Sequence, residues 1–363
     1  MTLDITQEQV KSILNKYVSE EATLDNIIPI NTQYSFTSNT RTFILNIITS
    51  TTTLSTFLII SSPAPENEYP TNSLETTLHI INQIQKHTDI SFSFSPSFPT
   101  QPTLDTSLTL VPFSFILLSP TPRISKEQPI TLHQARHSST LTQPQLLTIE
   151  LHIGQLLAQL HSNLQNDWFG LPLPQNSQPS DPSYSWQETF TLCIETVIAD
   201  LEKSNSTSIS IPFTLIKSLL SRAIGSFLFD DAEVPSLVLF THSEQDIYIS
   251  LPDTSSSNEQ TSPSLHLTFV PTFTRALFGD PLLESIFATP GPSAAVWEGY
   301  KASGGEPLIV FPRQKTKRLW YDLFLGLVAL RERTDNPPTA QDCQWIIKLI
   351  TETTEKLKTA PYY

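Results

Sequence analysis

The chain of 363 residues contains no glycine before Gly154, although it has nine glycines in all. Only glycine takes positive φ angles without a steric cost. A loop that brings several backbone N–H groups close to a phosphate depends on such angles. The first 153 residues therefore exclude a glycine-rich phosphate-binding loop.

Charged residues and cysteines are scarce as well. Charged residues make up 15% of the chain and hydrophobic residues 39%, which favours a folded globular protein over a disordered one. The net charge of −14 argues against nucleic-acid binding, because that needs clustered lysine and arginine. Cys193 and Cys343 are far apart in predicted helices, which indicates reduced thiols. We expect a cytoplasmic protein without a nucleic-acid partner.

Long hydrophobic runs are absent from the sequence. The longest, such as Phe113–Leu118, are far too short to span a bilayer. The first eight residues lack the basic and apolar regions of a secretory signal. We therefore expect no membrane partner.

The first 120 residues alternate short β-rich runs with polar breaks, which predicts an antiparallel sheet. The predicted strands are Ile27–Ile30, Arg41–Ile48, Thr56–Ile60 and Phe113–Leu118. Thr6 is placed to cap a first helix, and Asn72 or Ser73 to cap a second over Leu74–His87, with Leu74, Leu78, Ile81 and Ile84 on its apolar face. Residues 1–120 are therefore predicted to form a small β-rich lobe.

The remaining residues, 121–363, are predicted to be mainly helical. Helical periodicity covers Leu146–Leu160, Tyr184–Glu202, Pro212–Phe227, Lys317–Arg333 and Ala340–Leu357. The β-rich part of this half is Leu237–Val270, which predicts a short hairpin within residues 237–281. The whole pattern is typical of an α+β protein.

Several segments together resemble one enzyme family. Pro235–Ser250 and Arg275–Glu284, with the turn Gly279-Asp280-Pro281, resemble the catalytic loop, metal strand and GDP turn of the aminoglycoside phosphotransferase and choline-kinase-like family. In that family the loop reads H-G-D-x-x-x-x-N and the metal strand reads I-D-W-E. Gly154–His161 followed by Trp168-Phe169-Gly170 resembles another segment of the family, and Trp297–Tyr300 and Lys317–Tyr321 resemble the carboxy-terminal helices of its fungal-type members. The resemblance implies a bilobal protein-kinase-like fold, with a small antiparallel β lobe, a larger helical lobe and a catalytic-loop remnant at 237–281.

The family's charged functional residues have neutral counterparts in this chain. The resemblance places the phosphate-holding lysine at Ile60 and its partner glutamate at Thr77. It places the catalytic aspartate at Thr241, after Leu239 and Phe240 at the histidine and glycine positions, and the principal metal aspartate at Thr272. A threonine hydroxyl does not accept a proton near neutral pH or neutralise Mg²⁺ as a carboxylate does. The resemblance thus implies a degenerate member.

Two carboxylates remain as metal-ligand candidates. Asp246 stands at the asparagine position and, with His242 and Glu244, forms a candidate metal or acid/base cluster, but a solvated loop between strands is the favoured interpretation. Asp280 is interpreted as the hydrogen-bonding residue of its own turn rather than as a ligand.

Other polar residues have plain structural interpretations beside functional ones. His161 is interpreted as a packing histidine rather than a catalytic one. The basic residues Arg313, Lys315, Lys317 and Arg318 are interpreted as a solvated helix start rather than an anion site.

Three hypotheses about function follow from these residues. The first is a pseudokinase that binds a small molecule or a protein and needs no cofactor. The second is a weak ATP- and Mg²⁺-dependent phosphotransferase, acting on a hydroxylated or amino-alcohol metabolite through Asp246 and Asp280. The third is an enzyme of specialised metabolism that reuses the kinase cleft without phosphoryl chemistry.

Overall fold

The chain forms two compact units. The first comprises Met1–Ala64, Ser73–Ile149 and Ser243–Thr274, and the second comprises Pro65–Asn72, Glu150–His242 and Arg275–Tyr363. This division does not follow the boundary predicted at 120/121, because residues 121–149 and 243–274 group with the amino-terminal sheet. The computed structural model describes residues 3–30, 33–50, 52–62, 69, 71–123, 129–138, 140–204, 211–250, 265–334 and 343–362. Residues 251–264 of the predicted hairpin region lie outside the described residues.

The first unit is built on antiparallel β-structure. Its helices are α1 (Gln7–Tyr17), α2 (Leu74–His87) and α3 (Leu132–His137). Its strands are β1 (Thr23–Pro29), β2 (Thr40–Ile48), β3 (Thr53–Ser61), β4 (Pro102–Asp105), β5 (Ser114–Leu118), β6 (Thr121–Pro122), β7 (Ile130–Thr131), β9 (Ile247–Ser250) and β10 (His266–Phe269); β8 lies in the second unit. The large sheet has the order β1-β2-β3-β5-β4, with β6 also pairing with β3, and a small sheet has the order β10-β9-β7. The predicted antiparallel sheet is confirmed.

The large sheet has two different faces. Side chains alternate along a strand, so Leu58 and Ile60 of β3 point to one face, where they join the buried cluster to which α1 contributes. Phe57 points to the other face, and its ring centroid lies 4.9 Å from that of Phe94. Phe94 in turn lies 6.5 Å from Tyr248 of β9. This second face therefore leads through aromatic contacts to the small sheet.

The helices of the first unit begin at polar capping residues. Thr6 caps α1 through a reciprocal capping box with Gln9, as predicted. Ser73 caps α2 by accepting a hydrogen bond from the backbone of Thr76. The buried face of α2 contains Thr77 and Ile80, whereas Leu78, predicted on that face, is only half-buried.

The second unit is mainly helical. It contains α4 (Gln143–Asn163) from Glu150 onward, α5 (Trp186–Lys203), α6 (Phe213–Gly225), α7 (Ala294–Ala302), α8 (Pro312–Thr334) and α9 (Gln344–Thr359). Its strands β8 (Ser236–Val238) and β11 (Leu277–Gly279) pair with each other. No helix of the described residues is long and apolar enough to cross a membrane.

Two glycines let α4 and α7 touch through their backbones. A Cβ atom on Gly154 would lie 2.1 Å from the carbonyl oxygen of Val296, and one on Gly299 would lie 2.0 Å from that of Leu151. No other residue fits at either position without moving a helix. The second unit thus depends on glycine for its packing.

Candidate functional site

Ile60, at the predicted lysine position, lies on the α1 side of the sheet. Its side chain is fully buried within the cluster that includes Val10 and Leu14. The sequence of β3 contains no lysine, so an alignment shifted to Ile59 or Ser61 supplies no ammonium group either. The first unit therefore lacks a cation on the strand where the family places one.

Thr77 and Thr272 are neutral and buried in the first unit. Thr77 lies on α2, and Thr272 follows β10. Neither hydroxyl has a hydrogen-bond partner among the described residues. The backbone N–H of Thr272 donates to the carbonyl of Val270 at 2.8 Å, so the chain turns sharply at that point. Both positions are polar but uncharged.

Asp246 is enclosed by serine donors. Its Oδ1 atom accepts from the hydroxyl of Ser35 at 2.5 Å. Its Oδ2 atom accepts from the backbone N–H of Ser243 at 2.8 Å and from the Ser243 hydroxyl at 3.0 Å. The carboxylate is fully buried, so the expectation of a solvated loop is wrong. It caps the single turn Glu244–Asp246 and joins that turn to the β1–β2 connection.

The connection between β1 and β2 reaches Asp246 through Ser35. In protein kinases the loop at this place covers the nucleotide phosphates. Here Ser35 is buried and donates directly to the carboxylate at the metal-ligand position. Sequence reasoning missed this contact, because 211 positions separate the two residues and nothing local marks Ser35.

Thr241, at the predicted catalytic position, belongs to the second unit. Its buried hydroxyl has no hydrogen-bond partner among the described residues. The preceding residue, Phe240, has a φ of 55°, a left-handed conformation that a non-glycine residue adopts at a cost. The resemblance assigns the glycine of the H-G-D loop to this residue. The glycine-type backbone is therefore present although the side chain is a phenyl ring, which stacks on Phe324 at 5.0 Å.

Asp280 fixes its own turn and also forms a buried ion pair. One oxygen accepts from the backbone N–H of Leu282 at 2.9 Å, which confirms the predicted turn role. The other lies 2.6 Å from Nζ of Lys317 and accepts from the Tyr321 hydroxyl at 2.8 Å. Lys317 also contacts Asp231 at 2.5 Å. The Asp280 carboxylate is thus held by three protein groups, the Leu282 N–H, the Lys317 ammonium and the Tyr321 hydroxyl.

The ion pair shifts the pKa of both partners. Burial alone would raise the pKa of Asp280, but the ammonium of Lys317 and the hydrogen bonds from Leu282 and Tyr321 together hold the pKa below its usual value. Burial alone would lower the pKa of Lys317, but the carboxylates of Asp280 and Asp231 hold it above its usual value. Both groups are therefore charged over a wide pH range.

The interpretation of the basic segment as a solvated helix start is wrong for Lys317 and Arg318. Both are buried within α8. Arg318 pairs with Asp322 at 3.0 Å and donates to the carbonyl oxygens of Leu282 and Glu284. These cations stabilise the turn after Asp280 and are not available to a solvent anion.

His161 packs inside the second unit, as predicted. Its Nδ1 atom lies 2.9 Å from the Tyr300 hydroxyl, and its Nε2 atom lies 3.4 Å from a carboxylate oxygen of Glu284. The same carboxylate oxygen accepts from the backbone N–H of Leu239, just before Phe240 and Thr241. His161 thus supports the loop indirectly and is fully engaged.

The first unit contains a cavity of about 460 Å³, here called the neutral cavity. Residues of β1, β2, β7, β9 and the start of α3 line it. Its lining residues are Ile28, Pro29, Ile30, Ile44, Pro129, Ile130, Thr131, His133, Gln134, Gln245 and Tyr248. None of the six positions Ile60, Thr77, Thr241, Thr272, Asp246 and Asp280 lines it.

The second unit contains a more polar cavity of about 550 Å³. Asp231, Asp280 and Lys317 meet at its wall, and His161 and Tyr300 also line it. These side chains are already paired with one another or with their neighbours. Among the described residues, no three His, Cys, Asp or Glu side chains come together as a metal site.

Comparison with known proteins gives the fold. No family model and no curated protein sequence matches the chain. A Ralstonia eutropha protein assigned as an aminoglycoside phosphotransferase has a TM-score of 0.57 at 13% identity, over 99% of this chain and 100% of that one. Plasmodium vivax ethanolamine kinase has a TM-score of 0.55 at 9% identity, over 95% of this chain and 86% of that one. The microcompartment-associated aminopropanol kinase has a TM-score of 0.51 at 12% identity, over 96% of both chains.

At sequence identities this low, the structural similarity shows a shared fold but not a shared function. The α+β, bilobal protein-kinase-like fold that the resemblance implied is confirmed. This chain has the fold of the aminoglycoside phosphotransferases and amino-alcohol kinases.

Proposed function

We propose that this chain is a binding protein built on a kinase-like fold, which does not transfer phosphoryl groups from Mg·ATP. The observation that carries the proposal is the contact of Ser35 with Asp246 at 2.5 Å. It joins the β1–β2 connection to Asp246, one of the two carboxylates that remain as metal-ligand candidates. We also infer that the protein is cytoplasmic, with Cys193 and Cys343 as thiols.

Phosphoryl transfer in this fold is mainly positioning and charge neutralisation. It needs a cation for the phosphates, a carboxylate for the acceptor hydroxyl and carboxylates for Mg²⁺. Ile60 is embedded in a hydrocarbon cluster, and Thr241 and Thr272 are neutral. Asp246 would have to give up three hydrogen bonds to bind a metal ion. Each of these features opposes Mg·ATP chemistry independently.

ATP consumption tests the proposal directly. We expect no consumption above the protein-free background in the presence of Mg²⁺, with or without small amino alcohols. The double variant Thr241→Asp/Thr272→Asp returns two carboxylates and should remain inactive, because β3 still supplies no ammonium for the phosphates. Rapid turnover by the double variant would contradict the assignment of Ile60.

One observation favours a weak phosphotransferase as the alternative. Two proteins that share the fold are named as kinases of amino alcohols. This alternative predicts ATP consumption that depends on an amino alcohol and disappears in Asp246→Ala. Circular dichroism of the variant must show an intact fold, because Asp246 also caps a turn.

A further inference from the structure

We infer that the neutral cavity of the first unit binds an uncharged, largely apolar small molecule that carries no phosphate. The inference deepens the proposed function and rests on it, since a binding protein without Mg·ATP chemistry needs a ligand of another class. Four features of the described residues support it.

The first feature is the size and hydrocarbon character of the cavity. About 460 Å³ lies within the range of small-molecule sites. Ile28 of β1, Ile30 just after β1, Ile44 of β2 and Ile130 of β7 line it with aliphatic residues. Each Å² of apolar ligand surface that such contact removes from water contributes about 25 cal/mol to the free energy of binding.

The second feature is the lack of charge in the lining. Among the described residues, the lining contains the imidazole of His133 but no Lys, Arg, Asp or Glu side chain. A phosphate or an ammonium group bound there would lose water without gaining an opposite charge, which costs several kcal/mol. Neighbouring charged groups are already engaged, since Arg136 pairs with Glu244 at 2.8 Å and Asp246 accepts three hydrogen bonds.

The third feature is a phenol hydroxyl in the lining. Tyr248 lines the cavity and is only 9% exposed. A phenol hydroxyl can donate a hydrogen bond as well as accept one. The group is thus a ready donor to an uncharged oxygen or nitrogen acceptor.

The fourth feature is the packing of Tyr248 against aromatic side chains of the first unit. Tyr248 contacts Phe94, which contacts Phe57 on the central strand β3. Gln245 also lines the cavity, as do Thr131, His133 and Gln134. A lining of apolar and aromatic side chains with a few polar groups is typical of sites that orient a small ligand.

Two fluorescent probes that differ by one charged group test the inference. N-phenyl-1-naphthylamine is uncharged, and 8-anilinonaphthalene-1-sulfonate has the same ring system with a sulfonate added. We expect saturable one-to-one binding of the uncharged probe with a micromolar Kd, and binding of the sulfonate that is weaker by about tenfold or more. Equal affinities, or no saturable binding of the uncharged probe, would overturn the inference.

A pair of matched variants locates the site. Ile28→Asp places a charge in the cavity at a half-buried position and should weaken binding of the uncharged probe by about tenfold or more. Ile48→Asp makes the same change on the same sheet at an exposed position outside the cavity, and it should bind as the wild type does. Wild-type affinity in Ile28→Asp would overturn the inference.

A filling variant covers the case in which Ile28→Asp does not fold. Gln245→Trp keeps the backbone of its turn and places a ring in the cavity, so it should also abolish binding of the uncharged probe. Unchanged binding in this variant would contradict the assignment. These outcomes are independent of ATP consumption, so failure here is distinguishable from failure of the proposed function.

Discussion

The two units of this protein differ in their glycine content and in the number of charged side chains that they bury. The first unit contains no glycine, and Asp105 and Asp246 are the only charged side chains buried among its described residues. The second unit contains all nine glycines and buries several ion pairs, among them Lys317 with Asp280 and Arg275 with Glu332. The charges that hold the second unit together are present, whereas the first unit has neutral side chains at Ile60, Thr77 and Thr272, where the resemblance predicts phosphate and metal contacts.

This difference indicates that the two sets of charges have separate physical roles. A buried ion pair contributes little net stability when formed, but removing one partner leaves an uncompensated charge. A catalytic charge that contacts only ligands has no such partner, so its replacement by threonine or isoleucine leaves no internal charge unpaired. Variants in both units test whether charged side chains stabilise the second unit more than polar side chains stabilise the first.

The largest effect is expected at the buried pair of the second unit. Lys317→Met should lower the free energy of unfolding by about 3–5 kcal/mol, because it leaves Asp280 and Asp231 without their cation. Urea unfolding followed by circular dichroism measures the change. Lys301→Met is the matched control, because Lys301 is exposed and forms a loose pair with Glu298 at 3.8 Å. This variant should lower the free energy of unfolding by at most about 0.5 kcal/mol. Equal effects of the two variants would show that the buried ion pair matters no more to stability than an exposed one.

The same pair predicts a pH dependence of stability. The folded-state pKa of Asp280 is depressed, so its contribution is present above the ordinary carboxyl pKa and is lost as pH falls through the folded value. The folded-state pKa of Lys317 is raised, so its contribution is present below the ordinary lysine pKa and is lost as pH rises through the folded value. Unfolding measured from pH 3 to 11 should show the wild type losing its advantage over Lys317→Met at the acidic end. A constant difference across that range would contradict the assigned pair.

An intermediate effect is expected at Phe240, where the second unit keeps a glycine-like backbone without a glycine. Phe240→Gly and Phe240→Ala both lose the ring that stacks on Phe324. Because φ is 55°, the glycine variant should be the more stable of the two by about 1 kcal/mol, the reverse of the usual order. Thermal unfolding of both variants checks this order. An alanine variant at least as stable as the glycine variant would contradict the left-handed conformation.

The smallest effect is expected in the first unit. Thr77→Val removes a buried hydroxyl without a partner and should raise the free energy of unfolding by up to about 1 kcal/mol. Thr76→Val, the adjacent position of α2, removes a hydroxyl that lies 3.2 Å from that of Ser73 and should not stabilise. Parallel urea titrations compare the two. Destabilisation by both to the same extent would show that Thr77 is satisfied like its neighbour.

Local signals in the sequence predicted most of the fold. The caps at Thr6 and at Asn72 or Ser73 and the β-rich run Arg41–Ile48 are features of a few neighbouring residues, and the structure places helices and a strand there. The six-residue helix α3 was not predicted, since a helix of one or two turns leaves little periodicity. The helix at Lys317–Arg333 begins five residues earlier than predicted, at Pro312.

The candidate site was less predictable because its contacts are distant in sequence. The turn role of Asp280 could be predicted from the local sequence Gly279-Asp280-Pro281. The ion pair of Asp280 could not, because Lys317 comes from α8, which is distant in sequence. A run of basic residues at a helix start normally indicates a solvated surface, and only the tertiary fold buries Lys317. The enclosure of Asp246 by Ser35 has no local pattern at all.

The thermal melting of the protein with and without millimolar Mg·ATP tests the central claim most directly. A ligand present at about a hundred times its Kd stabilises the folded state by about 2.7 kcal/mol. We expect no change in melting temperature, because the chain offers neutral groups at Ile60, Thr241 and Thr272 and an enclosed carboxylate at Asp246. A rise of several degrees that requires both Mg²⁺ and ATP would contradict the account.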